Sequence, residues 1–402
     1  MFSEWYEEIR NSIFSTGDTP SRGNASGFVG LPSSDDPAIG QILWDEELGT
    51  GGRLDDLILE TSHQMKQEVY GGAVYAVVPL YATSICMEEC VYCNYRAGNK
   101  GIGVERIRLS DDELIEEARY LIEEKGLRTL ELVYATDPLV RADSMCRHVE
   151  LLERLLSQYG GGSVGINTEA LEVEEYRSLV DAGLSFAVLW QETYDRERYG
   201  EVHLGKTKKT NFEYRLNAYE RMIEGGIKNI GMGVLSGLAE WRPDWAMLIQ
   251  HENYLRQEYG LGAAVLGIPR LKVAAGALLK ESSFIPTRQE FLVTVALHNI
   301  YSPRTMAFVN TREDWELCVD LSKGGGCLFT FNCSTIPGGY SLGHRGYQFP
   351  THSYDTATYV GRLQEQNLHA VFEWTLNEVE SNSNEISRKA SRHPNNAAMS
   401  LS

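Results

Sequence analysis

The sequence predicts an α/β protein built as a closed (β/α)8 barrel, and three observations carry that expectation. From Val77 onward, short β-prone apolar runs alternate eight times with helical patterns, as in parallel strands joined by crossover helices. At 402 residues and 43% hydrophobic content, the chain has the length and core of one such barrel with extensions. Polar residues follow successive strand ends, where barrel chemistry belongs: Gln191-Glu192-Thr193-Tyr194, Pro269-Arg270, Asn310-Thr311-Arg312, then Asn332 and Ser334.

Taken in order, residues 1–75 form an N-terminal extension of two helical patterns, joined by a Gly-, Ser-, Asp- and Pro-rich stretch at 16–37 that reads as surface loop. The first barrel strand is expected at 77–81. Ser110 and Glu113 then form a capping box for a helix that Gly126 stops. Further strands are expected at 129–135, 163–168, 185–190, 229–234, 263–268, 305–309 and 327–331. Helices between them read as 141–157, 172–182, a Tyr-, Arg- and Glu-rich segment before the fifth strand, 245–258, 287–299 and 313–321. The barrel domain is thus 76–334. A closing segment, 335–380, carries a helix at 355–366 and a short strand at 370–374. Residues 381–402, rich in Ser and Asn, read as a disordered tail.

A formal net charge of −19 with no basic stripe argues against a nucleic-acid surface. The first residues lack the basic and apolar regions of a signal peptide, and no apolar run is long enough to span a bilayer, so a soluble cytoplasmic protein is expected. Cys146, Cys318, Cys327 and Cys333 are scattered, as packing residues in a reducing compartment would be.

The remaining three cysteines are not scattered. Cys86, Cys90 and Cys93 fall within eight residues on the loop leaving the first strand. Thiolates gathered this way suit a soft metal or an iron–sulfur cluster. A structural zinc site needs a fourth ligand, usually from a second cysteine pair, and none follows. Three ligands on a four-iron cubane leave one iron open.

The Cys-x3-Cys-x2-Cys run, with Tyr92 before its last cysteine, resembles the radical S-adenosylmethionine (SAM) superfamily. The resemblance implies a [4Fe–4S] cluster on Cys86, Cys90 and Cys93, SAM on its open iron, Tyr92 against the adenine, and an electron-donor partner such as flavodoxin or ferredoxin. Within that superfamily, Gln191-Glu192-Thr193-Tyr194 with Tyr214-Arg215-Leu216, Pro269-Arg270-Leu271, Asn310-Thr311-Arg312-Glu313 and Pro337-Gly338-Gly339-Tyr340 resemble the aromatic amino acid lyases. It implies that Glu192 and Arg215 contact SAM, that Arg312 with Thr311 holds the substrate carboxylate, and that Arg270 supports or touches the substrate. Those lyases carry a Gly-Glu pair after the second strand, whereas this chain has Ala135-Thr136-Asp137-Pro138, leaving Asp137 or Glu169 to supply the acid. The implied reaction is Cα–Cβ cleavage of tyrosine to dehydroglycine and p-cresol. The alternatives are tryptophan as substrate, another amino acid, or a non-catalytic cluster scaffold or sensor. No further cysteine set follows Cys333, which argues against the cyanide and carbon monoxide chemistry of the hydrogenase-maturing member.

Overall fold

The computed structural model describes residues 1–15, 42–353, 355–376 and 378–379. The stretch read as surface loop, 16–37, and the tail, 381–402, lie outside the described residues. Among the described residues, no helix is long and apolar enough to cross a membrane.

The barrel is present. Strands β1 (Ala73–Ala76), β2 (Val78–Thr83), β4 (Thr129–Tyr134), β5 (Ser163–Asn167), β6 (Phe186–Val188), β8 (Ile230–Gly233), β9 (Ala263–Gly267), β10 (Met306–Val309), β11 (Gly326–Phe329) and β12 (His369–Val371) form one sheet ordered β12-β1-β11-β10-β9-β8-β6-β5-β4-β2. Every pair in it is parallel. Two further short strands, β3 (Glu89–Cys90) and β7 (His203–Leu204), pair antiparallel outside it.

The first barrel strand is longer than its sequence pattern predicts, and it is split at Val77. Its first half pairs with β11, Tyr75 opposite Leu328, while its second half pairs with β4, Val78 opposite Leu130. One continuous segment therefore touches both ends of the barrel sheet and closes the ring at the bottom. Val77 N still donates to Phe329 O at 3.0 Å. Two residues on, Pro79 has no N–H to continue that ladder, and its carbonyl accepts instead from the Tyr340 hydroxyl at 2.9 Å. The ring is consequently open at the top between β2 and β11.

Helix boundaries follow local chemistry. The Ser110–Glu113 capping box opens the Asp111–Glu123 helix as expected. The helix expected at 245–258 begins earlier, at Trp241, because Pro243 falls in its first turn, where a missing N–H breaks no bond. In the N-terminal extension, Phe2–Ser15 lies against the outside of the barrel: Phe2 N donates to Glu220 Oε1 at 2.7 Å and its ring stacks on His251.

The closing segment serves both ends. Gln348, Phe349 and Thr351 reach the mouth. Trp374 plugs the bottom, its ring against Tyr75 and its Nε1 donating to Ala76 O at 2.7 Å. Thr129 Oγ1 donates to Trp374 O at 2.9 Å, tying the plug to the start of β4. Trp374→Ala should cost about 3–5 kcal/mol, since it removes a large buried ring and orphans a carbonyl. Urea unfolding at neutral pH measures this, and a cost under about 1 kcal/mol would mean the plug is not part of the core.

Candidate active site at the barrel mouth

A cavity opens at the C-terminal strand ends and encloses about 1420 Å³ of empty space, its mouth included. Glycines shape its floor: a Cβ at Gly233 or Gly267 would collide with the Trp190 indole, which lies across these neighbouring strands.

Cys86, Cys90 and Cys93 all line this cavity. Their loop is held on several sides. Met87 N donates to Thr136 O at 2.9 Å, Val91 N to Val202 O at 3.0 Å and Ala97 N to Glu88 O at 2.7 Å, and Cys90 pairs with His203 across β3 and β7. The Arg106 guanidinium gathers the carbonyls of Ser84, Tyr95 and Arg96 at 2.7–2.8 Å. Backbone N–H groups of Glu88 and Tyr95 point at the sulfurs of Cys86 and Cys93, each at 3.4 Å.

The donor set fits a cluster. Burial pushes each of the three thiols up to about 11, so a bound metal is what would hold them as thiolates at neutral pH. Among the described residues, no three His, Cys, Asp or Glu side chains converge tightly enough for a single ion. Of the four other cysteines only Cys333 reaches the cavity, beside Glu131 and Arg312.

Beyond the cysteines lies a buried charge group. Glu192 has a left-handed backbone, φ 74°, unusual for a non-glycine residue and a common mark of a constrained site. Its carboxylate accepts from Lys209 Nζ at 2.9 Å and lies 3.8 Å from Arg215 Nη2, and both Lys209 and Arg215 also line the cavity. Burial alone would push the carboxyl up, but Lys209 and Arg215 outweigh it and hold it at about 2. Arg215 also donates twice to Trp190 O, at 2.6 and 3.1 Å. Lys209 escaped the sequence reading, although the Lys206, Lys208 and Lys209 run was a visible basic exception in an acidic chain. Tyr92 lines the same wall, its hydroxyl 2.9 Å from His203 Nε2.

The structure separates the two candidates for the absent acid. Asp137 is fully engaged by Arg108 Nε at 2.8 Å, Thr83 Oγ1 at 2.7 Å and Leu139 N at 3.0 Å, and it does not line the cavity. Glu169 does line it, and burial raises its pKa. A third carboxylate, missed from sequence, lies within the cysteine motif itself. Glu88 is 4% exposed; Thr207 hydrogen-bonds one of its oxygens, and the other is buried without a partner. The Met87–Thr136 backbone bond places Glu88 next to the position where the acid is absent.

On the opposite side, Thr311 and Arg312 enter the cavity wall from the end of β10. Thr311 Oγ1 and Arg312 Nε are buried without a hydrogen-bond partner. The Arg312 guanidinium stacks on the Phe349 ring at 3.3 Å and makes no ion pair with the described residues. Burial lowers its pKa to about 10, so it remains a cation at neutral pH. Arg270, offered above as a substrate contact or support, does not line the cavity and so is not placed for contact: Glu313 binds its guanidinium bidentately and Pro286 O accepts from its Nη1 at 3.2 Å.

Comparison with known proteins agrees with this geometry. The Radical SAM superfamily model matches residues 80–245. The 2-iminoacetate synthase of Escherichia coli (strain K12) is 29% identical over 298 residues, which is 73% of this chain and 75% of that protein. The X-ray structure of the FeFe-hydrogenase maturase HydG from Carboxydothermus hydrogenoformans superimposes with a TM-score of 0.77 at 27% identity, covering 97% of this chain and 96% of that one. Methylornithine synthase (PylB) shares the fold, with a TM-score of 0.67 at 17% identity over 93% of this chain and 99% of that one.

Because Glu192 is held near 2 when folded and sits near 4.3 when unfolded, its ionic contacts stabilise the fold above about pH 4.3 and fade toward pH 2. Lys209→Met should therefore cost roughly 3 kcal/mol at pH 7 and progressively less below pH 4. Denaturant titrations at several pH values read this out; a cost independent of pH would show that Glu192 does not depend on Lys209.

Proposed function

We propose, from the radical SAM domain of residues 80–245 as premise, that this chain fragments a free aromatic amino acid, tyrosine before tryptophan, at its Cα–Cβ bond. The observation that carries the reading is Arg312: a buried guanidinium in the wall of the cysteine-lined cavity, with no carboxylate among the described residues to pair with. A bidentate grip on an amino acid's carboxylate would satisfy it, with Thr311 Oγ1 alongside. The likeness to 2-iminoacetate synthase supports the same substrate class.

Enzymes of this superfamily need a reductant and use a [4Fe–4S] cluster with SAM, which together supply a hydrogen-abstracting carbon radical. In this chain Cys86, Cys90 and Cys93 hold the cluster, on a loop already fixed by its backbone bonds. Tyr92, Glu192, Arg215 and Lys209 border the SAM site. Glu88, with its unpaired buried oxygen, stands in for the acid absent at Thr136, and Glu169 flanks it. Arg312 fixes the substrate's carboxylate and so presents its amino group toward the cysteines. Loss of a hydrogen atom from that amine weakens Cα–Cβ, and scission yields dehydroglycine and a side-chain radical that becomes p-cresol on taking one electron from the reductant and one proton. The protein's share is positioning and exclusion of water.

Anaerobic incubation with reductant, SAM and tyrosine should produce 5′-deoxyadenosine and p-cresol together; an indole product from tryptophan alone would move the reading to that substrate. Arg312→Ala should lower fragmentation at least about 100-fold while uncoupled SAM cleavage persists. Equal activity in the variant would remove the carboxylate assignment. Cys90→Ala should fail to retain the roughly four irons per chain that anaerobic reconstitution gives the parent protein, as read by iron assay and visible absorbance.

A further inference from the structure

We infer that Glu131 reads the far end of the substrate's side chain, selecting an amino acid that ends in a hydrogen-bond donor, a phenol first. The inference rests on the reading that the cavity takes a free amino acid held by Arg312, and it deepens that reading.

Side chains of a strand alternate between faces, and in β4 Thr129, Glu131 and Val133 turn into the barrel. Glu131 belongs to two cavities at once. It lines the main one together with Asn167, Trp190 and Phe308, and it borders a small space beneath, whose other walls include Val77, Val188, Leu328 and Trp374. A carboxyl in such company is out of place as a packing residue. It is 4% exposed, accepts a single hydrogen bond, from Asn167 Nδ2 at 3.0 Å, and has no cation within ion-pair distance among the described residues. A leucine would fill the same volume without a polar group short of partners, whereas this carboxyl carries a desolvation cost that one neutral hydrogen bond only partly offsets.

The placement matches the other end of the site. Arg312 follows the end of β10 at the rim, while Glu131 sits three residues inside the end of β4. A substrate whose carboxylate meets Arg312 would send its side chain down past Trp190 and Phe308 toward Glu131. There a phenol O–H, or the ammonium of a basic amino acid, would supply the donor that the carboxyl lacks. Burial holds this carboxyl up at about 7, and in either protonation state it keeps an oxygen able to accept. Phenylalanine and norleucine offer nothing to it.

The test is equilibrium binding of L-amino acids to the anaerobically reconstituted full-length protein with SAM, in two matched pairs: tyrosine against phenylalanine, and lysine against norleucine. The parent protein should prefer the donor-bearing member of one pair by about 10- to 100-fold, the range for one buried hydrogen bond to a charge-capable group. Glu131→Leu should bring that pair within about three-fold while keeping the apolar member's affinity and the melting temperature, and Glu131→Gln should fall between. A preference that survives Glu131→Leu, or a parent protein that discriminates in neither pair, overturns the inference. A Glu131-dependent preference confined to lysine over norleucine would uphold it and overturn the aromatic reading. Conversely, p-cresol formation with a preference indifferent to residue 131 would uphold the reading and overturn the role of Glu131.

Discussion

The architecture depends on the strand from Ala73 to Thr83 being shared between two neighbours. Its lower half completes the ring with β11, and its upper half turns to β4, so the barrel is closed where the plug sits and open where the chemistry sits. Pro79 makes the change of partner inexpensive by having no N–H to leave unpaired, and Tyr340 satisfies the carbonyl that remains. The same strand delivers the cysteine loop. Any slip in its register would move both the ring closure and the three sulfurs.

A second constraint is electrostatic. The chain carries a net charge of −19, yet cations collect at the mouth, where Lys209, Arg215, Lys272 and Arg312 all face the cavity. Lys209 and Arg215 are both paired with Glu192, and Lys272 is paired with Glu313. Arg312 alone of the four has no such partner among the described residues, and its stacking on Phe349 holds the guanidinium plane in place without neutralising it. A preorganised, unpaired cation is costly to the folded state and useful only to an anion that arrives later. The orphaned oxygens of Glu88 and Thr311 follow the same logic on a smaller scale.

Much of this was legible beforehand. Eight strands were readable because each parallel strand is a short apolar run set off by a helical pattern, and the structure differs from those runs mainly at their ends. The grouping of Cys86, Cys90 and Cys93 was readable because neighbours on one loop are set by local spacing. Arg312 and Glu192 were reachable because a barrel puts strand ends at one face. Arg270 shows where that rule stops. It follows β9 as Arg312 follows β10, but Glu313 lies within reach and takes it, and spacing along the chain says nothing about that encounter.

What the sequence by itself determined is the class of fold and the gathering of three cysteines on one loop, since both arise from patterns within one segment at a time. The tertiary structure decided which polar groups were left without a partner. Asp137 is tied up and Glu88 is not; Arg270 is paired and Arg312 is not; Glu131, which reads in sequence as one more residue of a strand, lies in the barrel interior with a single hydrogen bond. The reason is that a hydrogen bond or ion pair is settled by groups distant in the chain, so whether a side chain remains available for a ligand becomes visible only once every competitor for it has been placed.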